Sequence, residues 1–170
     1  MKLSMALFGA ATFLFIGCAP TVKIQSVKDN PTNLKLNKTV IALYGHERGR
    51  SVIEKMEKSL VDSLNNHEVI GVLYKDVGLT LDDKPLLTFA RGNGSNSILV
   101  FQLKEMKYWN QALSEIESSA LIYKSDDGKL IWKASINALS RSPGPGVEAG
   151  FSRNVVDLIM KKLSEDGLLK

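Results

Sequence analysis

Residue types that commonly do chemistry are sparse in this chain of 170 residues, which holds two histidines and one cysteine. His46-Glu47 opens like the zinc-protease pattern H-E-x-x-H, but Arg48-Gly49-Arg50 follows and the second histidine is missing. His67 comes much later, at a helix-strand junction, and two ligands without a third make a poor metal site. Both histidines therefore read as surface or capping residues, and neither zinc nor any other cofactor is expected.

The other candidates fail on context. Arg91-Gly92-Asn93-Gly94-Ser95-Asn96 has the glycines of a phosphate cradle, yet it lacks the P-loop lysine and leads into a strand where a cradle leads into a helix. Asp126-Asp127-Gly128 lacks the alternating acids and distal glutamate of a calcium loop and reads as a turn. Glu115 and Glu117 share one face of a strand, which water alone explains. No G-x-S-x-G elbow occurs, so a serine hydrolase has no visible nucleophile. The expectation is a protein that is not an enzyme, with a cell-wall hydrolase as the competing reading.

That leaves the sulfur of Cys18. Before it, Lys2 supplies a positive charge and Ala6 to Ile16 is a charge-free apolar run, the layout of an export signal. A spanning helix needs ~20 apolar residues, so this run is too short for a permanent anchor. The stretch Phe15-Ile16-Gly17-Cys18 resembles the lipobox of bacterial lipoproteins, with Phe15 and Ile16 where that family favours leucine and a smaller residue. The resemblance implies cleavage after residue 17, a diacylglyceryl group on the Cys18 thiol and a further acyl chain, of the palmitate kind, on the freed amine. Several chains on one residue make a stable anchor, since each buried CH₂ contributes ~0.8 kcal/mol and a single chain binds only marginally. A plain signal peptide with an incidental cysteine and an uncleaved membrane helix are the alternatives. Residue 19 is Ala, not the Asp of an inner-membrane retention signal, which favours the periplasmic face of the outer membrane.

With residues 1–17 removed, about 150 residues remain, enough for one domain and a tether. The whole chain has 22 basic and 18 acidic residues. A balance this mild and scattered is no nucleic-acid footprint. With Cys18 acylated there is no thiol for a disulfide or a soft metal, so packing must supply stability. Residues 18–37, with Pro20, Pro31 and several asparagines and lysines, read as a flexible tether that could hold the domain tens of Å from the bilayer at ~3.3 Å per residue.

The elements that must position any site begin at Thr39 to Tyr44, a β-branched strand closed by Gly45. Val52, Ile53, Met56, Leu60, Val61 and Leu64 then form a helical stripe, with Ser51 and Glu54 at capping-box spacing. His67 to Tyr74 reads as a strand, so a crossover unit is expected. Asp82 or Asp83 can cap a short helix with Pro85 in its first turn, ended by Gly92. Three strands follow: Ser97 to Tyr108, an alternating one around Ile116 to Ile122, and Leu130 to Ser140, the last two joined by Ser125-Asp126-Asp127-Gly128. After Ser142 to Gly146, a breaker run, the last helix carries Phe151, Val155, Leu158, Ile159 and Leu163, and Gly167 caps it. The expected fold is an α/β sandwich (α+β) ordered β-α-β-α-β-β-β-α. It has three helices and a mixed five-stranded sheet ending in an antiparallel meander, with the first two helices on one face.

On those segments the chain resembles small envelope lipoproteins. Ala90-Arg91 leading through a Gly/Asn loop into SILVFQL, the Tyr-x-x-Asp-x-Gly-x-x-x-Trp hairpin from Tyr123 to Trp132, and the closing KKLSEDGLLK carry the likeness. They are similar to the curli-secretion lipoprotein, to the N-terminal domain of the Tol-system propeller protein and to lipoprotein activators of peptidoglycan synthases, over residues 38–170. The resemblance implies partner binding or complex assembly and carries over no catalytic residue. Tyr108 and Trp109 at a strand end, and the segment from Arg141 to Gly150, suit contact with an envelope protein partner, since aromatic and arginine side chains anchor interfaces. Two non-catalytic readings stand beside each other: a binding module on an acylated Cys18, and a self-assembling subunit of a secretion or envelope complex. A transmembrane pore is disfavoured, because only Leu113 to Ser125 approaches a barrel strand.

Overall fold

A computed structural model describes residues 20–28, 34–75, 83–140 and 147–169. In chain order the elements are β1 (Thr21–Lys28), β2 (Lys38–Tyr44), a 3-10 turn (Glu47–Gly49), α1 (Arg50–Asn66), β3 (Ile70–Leu73), α2 (Asp83–Gly92), β4 (Ser97–Trp109), β5 (Ala112–Lys124), β6 (Leu130–Leu139) and α3 (Val147–Glu165). The sheet is six-stranded, ordered β1-β6-β5-β4-β2-β3, with β2 parallel to β3 and β4 and the other pairs antiparallel.

The sixth strand corrects the sequence reading, which counted five and put residues 21–28 in the flexible tether. Thr21–Lys28 instead pairs with β6 along its whole length, from Thr21↔Leu139 to Lys28↔Trp132. Its TVKIQSVK alternation is the reason. Val22 and Ile24 pack against the core, while Thr21, Lys23, Gln25 and Val27 are exposed.

The expectation that the first two helices share a face is also overturned. The chain steps from β2 outward to β3 and then back across β2 to β4. Two crossovers of one hand in opposite directions place their helices on opposite faces. Accordingly α1 joins α3 over a large core built on Ile41, Leu99, Phe101, Ile122, Trp132 and Ile136, and α2 covers a smaller one of Val40, Ala42, Ile98 and Val100 with Leu86 and Ala90. Each large aliphatic side chain buried this way contributes roughly 1.5–3 kcal/mol.

Helix α1 begins one residue before the expected cap. Gly49 is its N-cap and makes no side-chain cap hydrogen bond, while Ser51 Oγ donates to Glu148 Oε2 at 2.7 Å. That bond, with Ser152 Oγ donating to the Val52 carbonyl at 3.4 Å, joins the first turns of α1 and α3, so the two helices start at one end of the domain and run together. Asp82, a candidate cap for α2, lies outside the described residues.

At the other end the Asp166 carboxylate fastens β1 and β6 to the end of α3. Its Oδ2 accepts from Trp132 Nε1 at 2.7 Å and from Ser26 Oγ at 2.9 Å, and its carbonyl accepts from Lys28 Nζ at 3.0 Å. Trp132 is fully buried, so its indole N–H has no water to fall back on. Asp166→Ala is expected to cost about 2–3 kcal/mol in urea unfolding, with β1 the first segment to lose amide protection. A change under about 0.5 kcal/mol would show the carboxylate to be idle.

Candidate functional site

The hairpin of β4 and β5 outgrows its neighbours. Strand β2 follows β4 only to Tyr44↔Gln102, and β6 follows β5 only from Glu115↔Leu139, so the tip from Tyr108 to Leu113 projects past both. Irregularities between Leu103 and Glu105 and between Lys107 and Tyr108 add local twist. The two-residue loop Asn110-Gln111 has positive φ at both positions, 47° and 65°, which matches the twist of the flanking strands.

At this tip Trp109 is 65% exposed and Tyr108 40%. Strand alternation sends them to opposite faces. Tyr108 lies opposite the buried Leu113 on the helix side, where its hydroxyl is 3.5 Å from the Arg48 carbonyl, and Trp109 lies opposite Ala112 on the other side. The root of the hairpin is held by close approach of the 3-10 turn, where any Cβ on Gly49 would collide with Leu103 Cδ2.

A polar brace stiffens the stem. Lys107 Nζ reaches Glu115 at 3.1 Å and Glu117 at 3.7 Å, Asn137 Nδ2 donates to Glu115 Oε1 at 2.9 Å, and Ser114 Oγ donates to the Lys107 carbonyl at 3.0 Å. The Asn137 amide first, and Lys107 second, hold the Glu115 carboxyl below its ordinary value. Reciprocally, the hydrogen bond to Glu115 raises Lys107, helped by the charges of Glu105, Glu115 and Glu117.

The beginning of the described chain sits at this same end. Thr21 pairs with Leu139, Leu139 with Glu115 and Glu115 with Lys107, one row across four strands. Just before it, Pro20 is buried, its carbonyl accepts from Asn154 Nδ2 at 3.1 Å, and its ring lies against Gly150 in α3. Cys18 and Arg141 lie outside the described residues. In sequence Cys18 is separated from docked Pro20 by Ala19 alone, and Arg141 follows Ser140, whose N–H donates to the Ser114 carbonyl at the hairpin stem. Of the residues singled out for contact, the structure thus brings Tyr108 and Trp109 to one tip.

Sequence reasoning missed the asymmetry of the sheet. Val27, Tyr44, Ile70 and Leu139 are exposed, and by alternation they join Trp109 on the face opposite α1 and α3. Helix α2 covers only part of that face, and Gln25, Ser135, Ser119 and Gln102 form a polar row across the remainder. Lys133, Ser135 and Asn137, alternating with buried residues of β6, were the available signal.

Other sequence candidates resolve as structural parts. His46 is exposed ahead of the 3-10 turn and His67 ends α1, so the 17-residue helix separates them by about 25 Å. His67 also borders an open groove of about 600 Å³ between the last turns of α1 and α3, with Ser63, Asp157 and Glu165 among its walls. Arg91 clamps the β5-β6 turn, donating from Nε to the Ser125 carbonyl at 2.9 Å and from Nη2 to that of Asp126 at 2.7 Å. Asn96 ties the start of β4 to the chain entering β2 through Asn37, Lys38 and Lys35. Among the described residues no group of three His, Cys, Asp or Glu could hold a metal, and no helix is long and apolar enough to cross a membrane.

No family model matches the chain, and no curated protein matches it in sequence. Its fold is similar to that of PelC from Paraburkholderia phytofirmans, solved as a dodecamer, with a TM-score of 0.57 and 14% identity over 86% of this chain and 97% of that one. A single-substitution variant of that dodecamer gives a TM-score of 0.53 at 15% identity, over 86% and 98%. At such identity the likeness is one of fold.

Glu115 supplies a pH test of the hairpin brace. A carboxyl depressed in the folded state contributes stability that is complete above its unfolded value, near 4.5, and is lost as pH falls through the lower folded value. Amide protection of Tyr108 to Leu113, corrected for intrinsic exchange, should therefore drop below about pH 4.5, and Glu115→Gln should flatten that drop. Protection unchanged down to about pH 3 would rule the brace out.

Proposed function

We propose that this chain is a bacterial envelope lipoprotein, acylated at Cys18, whose domain lies flush on the periplasmic face of the outer membrane as a non-catalytic binding and assembly module. The observation carrying this reading is the docking of Pro20 against α3 at the end of the sheet from which the β4-β5 hairpin projects. With Ala19 as the one intervening residue, the leash from Cys18 is roughly 7 Å at ~3.3–3.6 Å per residue, far shorter than the tether read from residues 18–37.

A leash that short turns the hairpin tip toward the lipid. Trp109 then stands at headgroup depth, where an indole ring, apolar in body and able to donate one hydrogen bond, is favoured over both water and acyl chains. Tyr108 stays at the surface beside Arg48, and the partly uncovered sheet face is presented sideways, toward neighbours on the same membrane. Binding of an envelope protein there is part of the proposal, and no nucleic acid is.

The second reading, a self-assembling subunit, is favoured by the fold shared with PelC, a protein solved as a dodecamer and matched over 97% of its chain. Many copies of a flush-held domain on one surface would meet in fixed orientation, which lowers the entropic cost of assembly.

Two measurements test the anchored reading. Cys18→Ser should move the full-length protein from the membrane to the soluble fraction and abolish the mass added by acylation; unchanged fractionation and mass would end the proposal. In vesicles doped with a shallow lipid-borne quencher, the anchored protein should lose much of its tryptophan emission, and Trp109→Phe should remove that quenching, because Trp132 is fully buried. Equal quenching in the variant would mean that the tip does not reach the lipid.

A further inference from the structure

We infer that β1 is a strap that releases from the domain as a unit of its own. Docked on β6, it holds Pro20 at the hairpin end; released, it leaves the body held through Leu36 at the opposite pole. The opening of β1 stands by itself, whereas its consequence at a bilayer rests on the flush-anchored reading above.

The core is built without this strand. None of the eight residues of β1 is buried, and Val22 and Ile24 only flank the buried cluster. The Asp166 clasp divides along the same line. Trp132 belongs to β6 and Asp166 follows α3, so their bond stays with the body, while Ser26 and Lys28 let go with the strap. At the other end, Asn154 Nδ2 donates to the Pro20 carbonyl and the Pro20 ring rests on Gly150. An edge strand with half-buried side chains and one side of its backbone open to water opens locally far more readily than the strands inside the sheet.

The two attachment points lie at opposite poles. Pro20 sits on the first half of α3, at Gly150 and Asn154. Leu36 is buried and its N–H donates to the Leu168 carbonyl at 2.9 Å, past the end of α3, where Lys35 Nζ also donates to the Leu169 carbonyl at 2.9 Å. From Gly150 to the end of α3 is roughly 20 Å at ~1.5 Å per helical residue. With the strap docked, Ala19 alone separates Cys18 from the body, at the end where the hairpin tip projects. With it released, the first held residue is Leu36, about 18 residues after Cys18, an upper reach of roughly 60 Å at ~3.3 Å per residue. Trp109 then lies at the pole away from the attachment. The strap thus sets both the height of the domain and which of its ends is held to the lipid.

Hydrogen exchange of the full-length protein in nanodiscs, read by NMR, tests the release. Successive amides of β6 face β1 and β5 in turn, so a strap that opens alone predicts two classes along one strand, the β1-facing set exchanging at least ~100-fold faster. Equal rates in the two sets would overturn the inference. Gln25→Cys with Ser135→Cys bridges an exposed, directly opposed pair, and its disulfide should abolish the fast set; Val27→Cys with Lys133→Cys serves if the first pair fails to oxidise. Ile24→Asp should open the strap and leave protection in β4 and β5 unchanged, and a general loss of protection would also overturn the inference. In vesicles carrying the shallow quencher, the bridged protein should keep Trp109 quenched, and Ile24→Asp should lose at least about half of that quenching while staying with the membrane. Equal quenching in the two would overturn the strap's control of placement. No quenching even in the bridged protein would overturn the flush reading, and the exchange classes would still decide for or against release.

Discussion

The pairing of β1 with β6, clasped at one end by Asp166 and at the other by Pro20 against α3, is the constraint on which the rest of the molecule hangs. It converts a polar, lysine-bearing stretch into the edge of a six-stranded sheet and so decides where the chain emerges. Without it the N-terminal residues would wander over a radius set by some twenty residues. With it, the position of Pro20 is fixed relative to the hairpin tip.

The sheet itself is built unevenly, and the unevenness is physical in origin. One face is sealed by the parallel pair α1 and α3, which bury a continuous aliphatic and aromatic core. The other is shielded by the ten-residue α2 over its β2-β4 region and elsewhere carries a polar row together with the exposed Val27, Leu139 and Trp109. Antiparallel strands tolerate one wet face, whereas the parallel strands β2, β3 and β4 sit where helices cover the sheet on both sides. The uncovered region therefore coincides with the β4-β5-β6-β1 meander, and the aromatic tip grows from its longest hairpin.

Much of this was legible in the residues. The stripe Val52, Met56, Leu60 and Leu64 announced α1, the alternation of Trp132, Ala134, Ile136 and Ala138 announced β6, and Ser125 to Gly128 announced the turn before it. What escaped was non-local. β1 has a strand's alternation, but its inner residues are only partly buried and its composition is as polar as a linker's, and its partner lies over a hundred residues away. The placement of α2 depends on β4 inserting beside β2, a choice that no local pattern encodes. Tyr108 and Trp109 stood out in the sequence as an aromatic pair at a strand end, but their shared position with Pro20 and Thr21 is a property of register across four strands.

The parallel course of α1 and α3 has a last implication. Both start beside the entry point and end at the far pole, where Asn66, His67 and Glu165 border the groove between them. A helix of 17 residues sets that pole about 25 Å above the starting plane. The domain's length along its helices is thus fixed, and serine, acid and histidine side chains gather at the pole farthest from Pro20.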